Sequence, residues 1–155
     1  MEWATVVGTA LGALIGMGST LFAERVRWRR NLGEHERAEL RTAYARYLDA
    51  ATLARDAISL ASRNLGLASG ERAGLARSAI QDNVVYARQY ELELVAPAEV
   101  VTKAREATKA LGRYRDVVMG GATYETPECA EARRAFRRAR EAIMDAMRVT
   151  LDRGR

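Results

Sequence analysis

One histidine, His35, and one cysteine, Cys129, make up the whole imidazole and thiol stock of this chain. Those two residue types carry most metal ligation and nucleophilic catalysis, so their scarcity bounds the chemistry at once. A zinc centre gathers its ligands from several closely spaced His, Cys and carboxylate side chains, whereas His35 stands alone in "GEHERAE". Di-iron helical bundles repeat a Glu-x-x-His pair, which a single histidine does not supply. One cysteine forms no intramolecular disulfide and no multi-thiolate site. Cys129 falls on an apolar helical stripe, the setting of a small core residue. Neither a G-x-S-x-G nucleophile elbow nor a G-x-x-x-x-G-K-[ST] phosphate loop occurs. His35 reads as a solvated surface residue. The expectation is a non-enzymatic protein with no catalytic residues, no metal and no cofactor.

The strongest charged motif is "RRAFRRAR". At helical spacing Arg133, Arg137 and Arg140 share one side, and Arg134 and Arg138 share its neighbour. Such a face suits an anion: a lipid headgroup, a nucleic acid or an acidic protein. The competing reading is a solvated helix surface paired with Glu131, Glu141 and Asp145. Phe136 belongs to the apolar stripe of the same helix, so the aromatic interleaving that stacks single-stranded bases is missing. The formal net charge of +5 agrees with an anionic partner. Lys103 and Lys109 are the only lysines, an arginine bias that fits the codons of a GC-rich, bacterial genome.

The elements that must position these residues begin with "WATVVGTALGALIGMGSTLFA", residues 3–23, which carries no charged side chain. At 1.5 Å per residue this stretch reaches about 31 Å as a helix, close to the thickness of a bilayer's hydrocarbon core. A cleaved signal would need a basic start and a small-residue cleavage site; Met1 and Glu2 precede the apolar run, and no A-x-A follows. A buried core helix would not stay uncharged so long in a chain with 29% charged residues. The flanks fit a span. Trp3 and Trp28 bracket the stretch, and Arg25, Arg27, Arg29 and Arg30 follow on one side only. Arginine-rich flanks stay on the cytoplasmic side, where an anionic inner leaflet attracts them. The sequence therefore predicts a single-pass protein of the cell membrane, with its N-terminus outside and its C-terminal part in the cytoplasm.

Within the span, Ala4, Gly8, Gly12, Gly16 and Thr20 recur every four residues. Small residues along one helical face let two backbones approach and pack in lipid, so self-association of the span, and hence a homo-oligomer, is expected. The chain then divides into a transmembrane segment 1–23, a basic juxtamembrane collar and hinge 24–33 around Gly33, and a helical bundle 34–155.

The bundle follows from periodicity. Leu40, Tyr44, Tyr47, Ala51, Ala54, Ile58, Ala61 and Leu65 alternate steps of four and three, a coiled-coil-like seam. Gly66, Ser69 and Gly70 end it. A second helix is expected over about 71–96, with Ala76, Ile80, Ala87, Tyr90 and Leu94 inward and Asn83 on the same stripe. Pro97 opens a third, lined by Val100 or Val101, Ala104, Ala107, Leu111, Tyr114 and Val118. Gly120 and Gly121 break the chain. "TPE" restarts it, with Thr126 as cap, Pro127 first in the helix and Glu128 at the positive end of the dipole. Ala132, Phe136, Ala139, Ile143, Ala146 and Thr150 line this fourth helix. The fold class is all-α: one N-terminal transmembrane helix and an antiparallel bundle of about four helices.

Three functions remain open at this level. The first is a self-associating membrane scaffold whose bundle engages a protein partner of unknown identity. The second is a membrane-disrupting or channel-forming effector, for which Thr5, Thr9, Ser19 and Thr20 are the available hydroxyls. The third is a membrane-tethered nucleic-acid binder using the Arg133–Arg140 face.

Overall fold

The computed structural model describes residues 34–152. The expected span at 1–23, its small-residue face (Ala4, Gly8, Gly12, Gly16, Thr20), the interfacial Trp3 and Trp28, the Arg25, Arg27, Arg29 and Arg30 collar and the Gly33 hinge all lie outside the described residues. Among the described residues no helix is long and apolar enough to cross a membrane. A compact unit begins at Glu39.

Every regular element in the described chain is helical. Helix α1 covers 34–63, followed by α2 (Ser69–Asp82), α3 (Val85–Val95), α4 (Ala98–Met119) and α5 (Pro127–Asp152). The centre is α4, which packs on α5, α2 and α3. Two tyrosines fix how α1 joins them. Tyr47 on α1 donates its hydroxyl hydrogen bond to the Ala104 carbonyl on α4 at 2.9 Å, and Tyr44 donates to Thr150 Oγ1 on α5 at 3.2 Å. At the other end of α1, the Ser62 carbonyl accepts from the backbone N–H of Tyr124, just before α5, at 3.0 Å. Helices α1 and α5 therefore run antiparallel.

The 4-3 seam of α1 is buried at Tyr44, Tyr47, Ala51, Ala54, Ile58 and Ala61, with Leu40 packed at its edge. Leu65 is an exception: helix α1 stops at residue 63, so Leu65 sits in the turn and is exposed. Val100, Ala104, Ala107, Leu111, Tyr114 and Val118 all face the core from α4, as their spacing predicts. Pro97 stands one residue earlier than expected, as the cap residue before Ala98. On α5, Ala132, Phe136 and Ile143 are buried, Ala139 and Ala146 are half-buried against them, and Cys129 and Met147 complete the stripe. The expected cap is present, with the Cys129 N–H donating to Thr126 Oγ1 at 3.4 Å. Gly121 supplies the turn between α4 and α5 with φ of +98°, a conformation that L side chains adopt poorly.

The second helix differs from expectation. It is two helices, broken at Asn83–Val84. The Asn83 side-chain amide donates to the Ala79 carbonyl at 2.7 Å, competing for an acceptor that a continuing helix would use. Val84 then takes a left-handed conformation at φ 49°, ψ 33°. That kink rotates everything after it. Ala76 and Ile80 remain inward, but Ala87, Tyr90 and Leu94 turn out to solvent, and Val85, Gln89 and Leu92 take their place in the core.

Candidate functional site

Of the residues singled out in sequence, the arginines of α5 are placed most differently from one another. Arg133 is turned back onto the bundle. Its guanidinium carbon lies 3.5 Å from the centroid of the Tyr124 ring, and Nη2 donates to the Tyr124 carbonyl at 3.2 Å. Arg63 at the end of α1 stacks on the same ring at 3.9 Å. Two guanidiniums on one tyrosine staple the α4–α5 loop to α1, a cation–π use of arginine. Arg134 and Arg138 both reach Glu131, at 2.9 and 3.1 Å. Arg137 is exposed and Arg140 half-buried. The five arginines thus divide into a structural clamp, a pair on Glu131, an outward Arg137 and a half-buried Arg140. His35 is exposed. Among the described residues no three His, Cys, Asp or Glu side chains are grouped to hold a metal ion.

Cys129 is buried beside Ser62 and Tyr114, and burial pushes its thiol pKa up. A thiol that stays protonated is a poor nucleophile. The Tyr114 hydroxyl, also raised by burial, lies near Ser62 and Ser59 without forming a well-aligned hydrogen bond.

A recess lies between α3 and α4, at residues the sequence does not single out. It is an open cleft of about 490 Å3, within the range of small-molecule sites. From α3 come Tyr86 and Gln89; from α4 come Arg105, Thr108, Lys109, Gly112, Arg113 and Asp116. Gly112 makes the floor: a Cβ built there meets nothing within 4 Å. At one end Arg105 grips Glu93 through two bonds of 2.9 and 2.6 Å. Arg105, and then Gln89, hold the Glu93 carboxyl down to about 2. At the other end Asp116 pairs with Arg115 at 2.7 Å. Among the described residues Lys109 and Arg113, one helical turn apart and both exposed, have no ion-pair partner.

No family model, curated protein or solved structure matches this chain.

Gln89 gives the cleft its polarity. The residue is only 8% exposed. Its Nε2 donates to Glu93 Oε1 at 2.8 Å, while its Oε1 is buried without a hydrogen-bond partner. The amide orientation follows from the network, because the flipped form would set two acceptors against each other. The cleft is therefore lined by a residue whose carbonyl oxygen is buried and without a partner.

The break at Val84 also creates a second surface. Tyr86, Tyr90 and Leu94 follow one another at steps of four along the outside of α3, and Tyr90 and Leu94 are 63% and 85% exposed. Val84 and Val95 extend this apolar strip at either end. The one sequence signal for it was an alternative seam, Val85, Gln89, Leu92 and Ala96, whose polar member conceals the 4-3-4 rhythm.

Proposed function

We propose that this protein is a non-enzymatic, self-assembling membrane scaffold. The uncharged segment 3–23 anchors it, the Ala4–Thr20 small-residue face brings copies together, and the helical bundle lies on the cytoplasmic side. The observation that carries the reading is the exposed apolar strip on α3. A face with Tyr90 and Leu94 turned to solvent is the kind of patch that marks a protein contact.

The occupant of that strip is a second copy of this chain. The strip is self-complementary: about a two-fold axis at Tyr90, Tyr86 of one α3 meets Leu94 of the other. The charges on α3 are already satisfied within each copy. Arg88 pairs with Glu91 at 2.7 Å and Glu93 with Arg105 at 2.6 Å, so no like-charge repulsion opposes the contact. Tethering to one membrane raises the effective concentration of the second site, which lets a small strip suffice.

Light scattering on the detergent-extracted full-length protein, with detergent mass subtracted, tests this. The wild-type chain is expected as a discrete multimer. Replacing Gly8, Gly12 and Gly16 with leucine, or Tyr90 and Leu94 with glutamate, should each lower the mass, and combining them should give a monomer. A monomeric wild-type chain would falsify the scaffold. A multimer indifferent to Tyr90→Glu and Leu94→Glu removes the α3 contact.

A further inference from the structure

We infer that the α3–α4 cleft is a binding site for a mononucleotide, with Lys109 and Arg113 taking its phosphate, the Tyr86 ring its base, and Gln89 Oε1 a donor on the base edge. The cleft shares Tyr86 with the apolar strip, but its cations lie on α4, so Tyr90→Glu with Leu94→Glu tests self-assembly without touching the cleft lining.

Each part of the ligand answers a feature of the cleft. Lys109 and Arg113 are four residues apart on one face of α4 and lack ion-pair partners among the described residues. The carboxylates at the two ends of the cleft are already engaged, Glu93 by Arg105 and Asp116 by Arg115. An incoming phosphate therefore meets two cations and two neutralised acids. Charge-assisted bonds from lysine and arginine to phosphate are among the stronger polar contacts available. Between the cations, Gly112 leaves the floor open.

The donor requirement comes from Gln89. Its Nε2 is spent on Glu93, so Oε1 can only accept, and a buried acceptor left without a partner is costly. A ring N–H or an exocyclic amino group on a base supplies such a donor. Tyr86 is 46% exposed at the rim, where its ring offers a stacking surface for a base. A volume of about 490 Å3 accommodates a nucleoside monophosphate.

The test is calorimetric titration of the full-length protein in detergent with AMP, GMP, CMP and UMP in turn. Inorganic phosphate and a short single-stranded oligonucleotide serve as comparators. At least one mononucleotide should bind, and more tightly than phosphate. Lys109→Ala with Arg113→Ala should weaken it about tenfold to a hundredfold. Gly112→Leu should abolish it while holding or raising the melting temperature, since leucine is the better helix former and its Cβ displaces nothing. That variant separates loss of the site from loss of the fold. Tighter binding of the oligonucleotide, also lost in Gly112→Leu, assigns the nucleotide to a nucleic acid strand instead of the free pool. The inference is overturned by no binding at millimolar nucleotide, by phosphate binding as tightly as any nucleotide, or by binding that survives Gly112→Leu.

Discussion

The α1–α4–α5 side of the bundle and the α2–α3 layer are built by different rules. In the first, alanines alternate with a few large side chains along uninterrupted seams. Tyr47, Tyr114, Ile58, Leu111 and Ile143 are fully buried among Ala51, Ala54, Ala104 and Ala107. Alanine lets the helix axes come close, and the large residues fill what remains, which is how interiors reach crystal-like density. In the second, one break leaves an eleven-residue helix with Val85, Gln89 and Leu92 inside and its larger apolar residues outside. The closed side secures the fold. The open layer forgoes part of its burial; the apolar strip lies on it, and the cleft lies where it meets α4.

Core truncation offers the sharpest test of this contrast. Leu111→Ala on α4 removes a fully buried side chain and should cost about 2–5 kcal/mol. Leu94→Ala on α3 removes the same side chain where it is 85% exposed, and should change stability by no more than about 0.5 kcal/mol. Urea denaturation of the two variants at concentrations where the chain is monomeric measures both. Equal losses there would mean that Leu94 packs within its own chain and that the contrast is wrong.

A second test concerns the polar pin of the closed side. The Tyr47 hydroxyl bonds the Ala104 carbonyl and Thr108 Oγ1 at 2.9 and 3.0 Å. Tyr47→Phe removes both and should cost about 1–2 kcal/mol. Burial pushes the Tyr47 phenol up to about 12 from its ordinary 10.0. Because the folded value is the higher one, this stabilisation is complete below pH 10 and fades as the pH climbs towards 12. Ultraviolet titration of wild type against Tyr47→Phe should show a late-ionising tyrosine absent from the variant.

The break itself is next. Val84 is β-branched and left-handed, a conformation that costs an L-residue roughly 1–2 kcal/mol. Val84→Gly should recover about 1 kcal/mol of that, part being returned to the freer unfolded chain. A loss of stability in thermal melts of this variant would show that the valine side chain has a packing role.

The smallest expected effect lies at the α3–α4 junction. Glu93 titrates at about 2 in the folded chain against an ordinary 4.5, chiefly because Arg105 and then Gln89 bond its carboxylate. Since the folded value is the lower one, its contribution is present above pH 4.5 and lost as the pH falls towards 2. Glu93→Gln should flatten that part of the acid stability profile and lower the melting temperature slightly at neutral pH, a small effect because the arginine of the pair is largely exposed.

Much of the closed side was legible in the residues. Where a helix runs unbroken, apolar positions at 3.6-residue spacing share one face, so Tyr44 through Ala61, Val100 through Val118 and Ala132 through Ile143 could be assigned inward from spacing alone. Glycine pairs and Thr-Pro-Glu marked the ends for local steric reasons. The same reasoning failed at Asn83 because it assumes that the phase carries through. Tyr90 and Leu94 are more hydrophobic than Gln89, so hydropathy chose the wrong face once the phase was lost. The arginine motif was legible as charge only. Which guanidinium stacks on Tyr124 and which pairs with Glu131 depends on where a loop from elsewhere in the chain arrives.

Local rules therefore determined, from sequence by itself, the all-helical class, the main turns and the α1, α4 and α5 seams, because those depend on neighbours within a few residues. Tertiary structure decided the facing of α3, the orientation of the Gln89 amide, the cleft over Gly112 and the division of labour among the arginines. Each of these requires groups distant in sequence to meet, and a one-residue kink at Val84 is enough to choose which ones do.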